Sequence, residues 1–171
     1  MKNLFYLGLF VLSMTSCSVE NEADTFDGVL EINLSFEDEI CGEATFHRFG
    51  DLGNVTVFND TENLIVRIIS ADPEGLIQAR VAIVDDLEDF PVTGGGNLPP
   101  GQMPEVIHVG GDWFTQFTFP LSRFSDLDDN CLLIATWATF KGKGGGHWAG
   151  NQTAGNGKTP WRYFSFCIQG C

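Results

Sequence analysis

Apolar residues recur at alternate positions through most of this chain, and a period of two selects β-strands over helices. In GVLEINLSFE, Leu30, Ile32, Leu34 and Phe36 alternate with Glu31, Asn33 and Ser35. NVTVFND and NLIVRIIS are β-branched runs joined by Asn59-Asp60-Thr61-Glu62, a hairpin signal. LIQARVAIVD predicts one face of Ile77, Ala79, Val81 and Ile83, with Gln78 and Arg80 on the other. After the turn-rich FPVTGGGNLPPGQMP come VIHV and WFTQFTFPL. CLLIATWATF is apolar on both faces, as a central strand must be. RYFSFCI then alternates Phe164, Phe166 and Ile168 against Tyr163, Ser165 and Cys167. No segment carries a helical stripe, and a chain rich in Phe and Gly but poor in Ala and Lys favours strands and turns. Eight or nine short strands predict an all-β fold: one antiparallel β-sandwich, immunoglobulin-like or jelly-roll-like, over residues 27–171.

The first residues follow a different rule. Lys2 precedes an apolar run from Leu4 to Met14, which is too short to span a bilayer and reads as an export signal. Thr15 and Ser16 lead into Cys17, and this arrangement resembles the lipobox of bacterial lipoproteins, with Met14 a mild departure. The resemblance implies that residues 1–16 are cleaved and that Cys17 is acylated. Multiple acyl chains anchor stably, at about 0.8 kcal/mol per buried methylene. SVENEADTF, residues 18–26, is polar and acidic and reads as a tether. Its Glu20, Glu22 and Asp24 resemble the surface-export signal of Bacteroidota lipoproteins, which leaves cell surface and periplasmic face of the outer membrane as alternatives.

Five cysteines minus an acylated Cys17 leave Cys41, Cys131, Cys167 and Cys171, an even set that reads as two disulfides in an exported chain. Three connectivities exist. Cys131 opens one strand-like run and Cys167 closes another, so antiparallel neighbours favour Cys131–Cys167 with Cys41–Cys171.

Charge narrows the partners. The net charge is −14, and every Asp and Glu lies at or before Asp129, whereas Lys141, Lys143, Lys158 and Arg162 follow it. Such acidity argues against nucleic acid and against a polyanionic lipid surface. The membrane contact expected is through the acyl chains alone.

Catalytic patterns are weak. His47, His108 and His147 have no GxSxG elbow or HExxH run beside them, and His47 and His108 read as structural or surface residues. Gly155–Thr159 (GNGKT) lacks the upstream glycine and the following helix of a phosphate loop. Asp85–Asp89 and Asp126–Asn130 are acidic turns, and Asp126, Asp128 and Asn130 have spacing suited to a calcium ion. Without the glycine and terminal glutamate of an EF-hand, solvated turns are the favoured reading, and no cofactor is expected.

The remaining candidate is the glycine-rich stretch from Lys141 to Arg162, read as a long loop. It carries Lys141, Lys143, His147, Trp148, Lys158, Trp161 and Arg162. A Cys131–Cys167 register extends to Ala135 opposite Tyr163 and Trp137 opposite Trp161, which aligns Trp137, Trp161 and Tyr163 on one face. Aromatic rings beside cations and amides suit sugar rings or an anionic glycan.

NVTVFNDTENLIVRI, GGGNLPPGQMP, CLLIATWATF and HWAGN…WRYFSF occur in an order that resembles uncharacterised β-sandwich modules of secreted and surface Bacteroidota proteins, over roughly residues 40–168. Ala135-Thr136-Trp137-Ala138 and Gly146-His147-Trp148 depart from that pattern. The resemblance implies fold and address more than function, no catalytic activity being established for those modules. The expected function is therefore a non-enzymatic, lipid-anchored module binding a glycan or an envelope protein. A structural subunit of an outer-membrane complex is the alternative, and a carboxylate-based or calcium-dependent hydrolase stands third.

Overall fold

A computed structural model describes residues 40–125, 130–155 and 160–171. The strand expected over residues 30–36, Cys17 with its tether, Asp126, Asp128 and Lys158 lie outside the described residues. Among the described residues there is no α-helix. Ten strands occur: β1 (Cys41–Arg48), β2 (Gly53–Asn59), β3 (Asn63–Ser70), β4 (Leu76–Val84), β5 (Glu105–Asp112), β6 (Phe114–Pro120), β7 (Cys131–Phe140), β8 (Gly146–Ala149), β9 (Gln152–Ala154) and β10 (Trp161–Cys167). They form two antiparallel sheets, ordered β1-β2-β3-β6 and β5-β4-β7-β10-β9, with β8 also paired to β7.

The alternation read from sequence decides which side chains lie between the sheets. Val55, Val57, Leu64, Val66 and Ile68 of the four-stranded sheet share one buried cluster with Ala79, Val81, Ile134, Ala138, Phe164 and Phe166 of the six-stranded sheet. The β2–β3 hairpin forms where expected. Asp60 closes it: its Oδ1 accepts the N–H groups of Glu62 and Asn63 at 2.7 and 2.6 Å. Partial burial pushes the Asp60 pKa up, but those N–H donors prevail and hold it below the usual carboxylate value.

CLLIATWATF is indeed central, with β4 on one side and β10 and β8 on the other. The disulfides are Cys131–Cys167, directly opposite across β7 and β10, and Cys41–Cys171, which ties the chain end to β1 of the other sheet. Asn59 reinforces that tie: its side-chain amide donates to the Gln169 carbonyl and its Oδ1 accepts the Gln169 N–H, both at 2.9 Å. Asn130, one of the expected calcium ligands, takes a left-handed φ of 56°, and its carbonyl accepts the Ile168 N–H at 2.8 Å.

Two local expectations fail. Ile77 does not join the core face of β4; it is 38% exposed, because the register shifts between Leu76 and Gln78 and turns one residue outward. The stretch from Lys141 to Arg162 is not one loop, since it contains β8 and β9. Gly150, at φ 140°, ends β8 hard against the backbone of Tyr163, where a β-carbon would not fit.

Candidate functional site: the outer face of the six-stranded sheet

On β4, β7 and β10 the residues that alternate with the core point away from it. The lower half of this outer face is covered. Phe90, Leu98 and Met103, from the segment between β4 and β5, pack onto Ala82, Ala135 and Trp161 as a second buried cluster. Trp161 is only 2% exposed, and its indole Nε1 donates to the Gly96 carbonyl at 3.0 Å. Phe90 meets the Trp161 ring edge-on at 4.9 Å. The covering segment is thus pinned at the bottom by Trp161. At its upper margin Arg80 donates from Nη1 to the Pro100 carbonyl at 3.0 Å.

Above that margin the strands lie open in two cross-strand rows. Register puts Val106, Arg80, Trp137 and Trp148 in one row, and His108, Gln78, Thr139 and Gly146 in the next. The Gln78 amide nitrogen lies 3.3 Å from the His108 imidazole. Trp137, Trp148 and Tyr163 are partly buried against the second cluster and retain exposed surface. Gln152, opposite Tyr163 on β9, is exposed. Gly146 makes the arrangement possible: a β-carbon there would overlap Cζ2 and Cε2 of Trp137, so the indole rests directly on the glycine backbone.

The expected register fails at one point. β10 pairs with β7 only from Cys167 to Phe164, and beyond it β8 takes over, so Trp148, not Trp161, stands opposite Trp137. Trp161 and Tyr163 pair with β9 instead. The three aromatics expected on one face are on it, but Trp161 is core and Trp148 replaces it at the surface.

Lys141, Lys143 and Arg162 are not brought to these rings. Lys141 donates to Glu74 Oε2 at 3.0 Å, both side chains well exposed, beside the β3–β4 turn. Lys143 joins Asp51, Asp72 and Phe140 around a shallow cavity of about 210 Å³ at that end of the fold. Mixed charge and a volume below the usual 300–1,000 Å³ or so make it a poor ligand pocket. Arg162 has the parity of Phe164 and Phe166 and is exposed at the sheet margin, turned away from Tyr163. His147 likewise has the parity of Ala149, and its ring meets Phe140 edge-on at 6.0 Å. Its Nε2 is buried without a hydrogen-bond partner.

The other histidines separate. His108 is exposed on the open rows, whereas His47 is half-buried and stacks on Phe164 with ring centroids 4.0 Å apart. Burial lowers the His47 pKa. The acidic turn from Asp85 to Asp89 is exposed, and among the described residues no three His, Cys, Asp or Glu side chains gather as metal ligands do.

Arg80, Gln78 and His108 are therefore site residues outside the glycine-rich stretch, and Gly146 and Gln152 are members of that stretch that residue chemistry alone does not single out. The alternation along β4 already set Gln78 and Arg80 on the non-core face. No family model, no curated protein and no solved structure matches this chain.

Proposed function

We propose that this protein is an exported, lipid-anchored, non-enzymatic binding module whose open sheet face takes a glycan. The observation that carries the reading is Trp137 laid over Gly146, part-exposed, with Trp148 and Arg80 on either side in the same cross-strand row. A flat ring seated on backbone is already immobilised, so stacking a sugar on it costs little further side-chain entropy. Thr139, Gln78 and His108 in the next row offer hydroxyl, amide and imidazole groups for sugar hydroxyls.

The address is part of the proposal. Cys17 in its lipobox-like setting would carry acyl chains at the outer membrane, and two disulfides suit an oxidising compartment. No helix among the described residues is long and apolar enough to cross a membrane. The resemblance to Bacteroidota surface modules, with a sandwich of immunoglobulin-like or jelly-roll-like type, fits two sheets with a common core.

The test is a glycan array probed with the wild type and with Trp137→Ala/Trp148→Ala. Retention of a defined glycan set by the wild type alone is the expected result; equal retention by the variant overturns the site. The alternative, a structural subunit of an envelope complex, expects stoichiometric protein partners on purification from detergent-solubilised membranes and no glycan retention.

A further inference from the structure

The open rows hold a cation and no carboxylate. In a chain of net charge −14, the positions Val106, Arg80, Trp137, Trp148, His108, Gln78, Thr139 and Gly146 contain no Asp or Glu. The other described arginines with an ion pair or a side-chain fork are spoken for: Arg123 pairs with Glu105 at 3.0 Å, and Arg67 donates twice to Gln116 Oε1. Arg80 is different. It is partly buried, and among the described residues no carboxylate pairs with it. Among the described residues its guanidinium donates from Nη1 to the Pro100 carbonyl, a neutral acceptor.

A guanidinium with no carboxylate beside it can take an anionic ligand, and its planar fork matches a carboxylate in both donors and shape. The nearest ring in register is Trp137, directly across from Arg80. We infer that the ligand is an acidic glycan, with a uronic acid ring stacked on Trp137 and its carboxylate held by Arg80. This rests on the reading of the open rows as a sugar site and adds the substrate class.

Uronate-containing oligosaccharides and their carboxyl-reduced counterparts, identical except for a CH2OH in place of each carboxylate, distinguish the two levels. The full chain is titrated with a panel of such matched pairs, together with sulfated neutral glycans. Charge-assisted hydrogen bonds should make the carboxylated member of a pair bind roughly 10- to 100-fold tighter. Arg80→Gln should bring the ratio of carboxylated to reduced affinity to near one. A purely structural role for Arg80 would weaken both members alike and would overturn the inference. Equal wild-type affinity within each pair also overturns it while sparing the glycan reading, as does a preference for sulfated neutral glycans. No binding to any member removes both.

Discussion

Trp137 and Gly146 occupy neighbouring strands in such a way that the indole of one lies on the bare backbone of the other. This contact links the least regular part of the sequence, the glycine-rich stretch after β7, to an open aromatic surface on the six-stranded sheet. Gly146 has no left-handed backbone requirement, so its lack of a side chain is needed for space.

Trp161 should behave as a core residue and not as a ligand contact. Trp161→Phe keeps most of the ring but leaves the Gly96 carbonyl without its indole donor. The expected loss is about 1–2 kcal/mol in urea unfolding, from a lost hydrogen bond and an imperfectly filled site. Glycan affinity should change far less than with Trp137→Ala; a larger affinity loss at Trp161 would place the site elsewhere.

The Lys141–Glu74 pair is exposed, with side-chain accessibilities of 60% and 75%, and screening by water and salt should leave it nearly silent. Lys141→Ala combined with Lys143→Ala is therefore expected to leave both the urea midpoint and glycan binding unchanged. Loss of binding in that double variant would restore the lysines to the site.

His47 gives a pH dependence whose sign follows from its environment. Burial against Phe164 disfavours the imidazolium, so the folded-state pKa lies below the unfolded value of about 6.5. The unfolded chain then binds the proton first, and the stability contribution, complete above about pH 6.5, is lost as pH falls through the folded pKa. Urea midpoints measured from pH 8 to pH 5 should fall more steeply for the wild type than for His47→Gln. Parallel profiles would contradict the burial.

Cys131–Cys167 closes a separation of 36 residues, for which the chain-entropy model gives about 3–4 kcal/mol; Cys41–Cys171 spans 130 and gives about 5 kcal/mol. Replacing each pair with alanines should lower the unfolding midpoint, with the larger drop for Cys41–Cys171, which also positions Gln169 on Asn59. A reversed order would mean that strain or residual unfolded structure outweighs loop length.

Much of this fold is legible wherever burial on one face forces a period of two. Ala79, Val81 and Ile83 of β4 and Phe164 and Phe166 of β10 face the core as the alternation predicts, and the two-sided apolar character of CLLIATWATF correctly marks a strand covered on both faces, by the main core and by the Trp161 cluster. Three features were not legible, each for a physical reason. A register shift displaced Ile77, and nothing in a period of two announces an extra residue. β8 and β9 are short and glycine-flanked, so their propensity is that of a loop, and only pairing with β7 and β10 makes them strands. The site itself draws on β4, β5, β7, β8, β9 and β10, so its members sit far apart in sequence, and Lys141 and Lys143, from the same stretch as Trp148, are turned to Glu74 and to the cavity beside Asp51 and Asp72.

The most direct test of the glycan-binding account compares two glycines two residues apart. Gly144→Ala adds a methyl group to open space, whereas Gly146→Ala adds one where Trp137 lies. Calorimetric titration with the glycan retained by the wild type, on variants shown by thermal unfolding to be folded, should give wild-type affinity for Gly144→Ala and at least about a tenfold loss for Gly146→Ala, as expected for a displaced stacking ring. Wild-type affinity in a folded Gly146→Ala variant would contradict the claim that the open sheet face around Trp137 is where this protein binds.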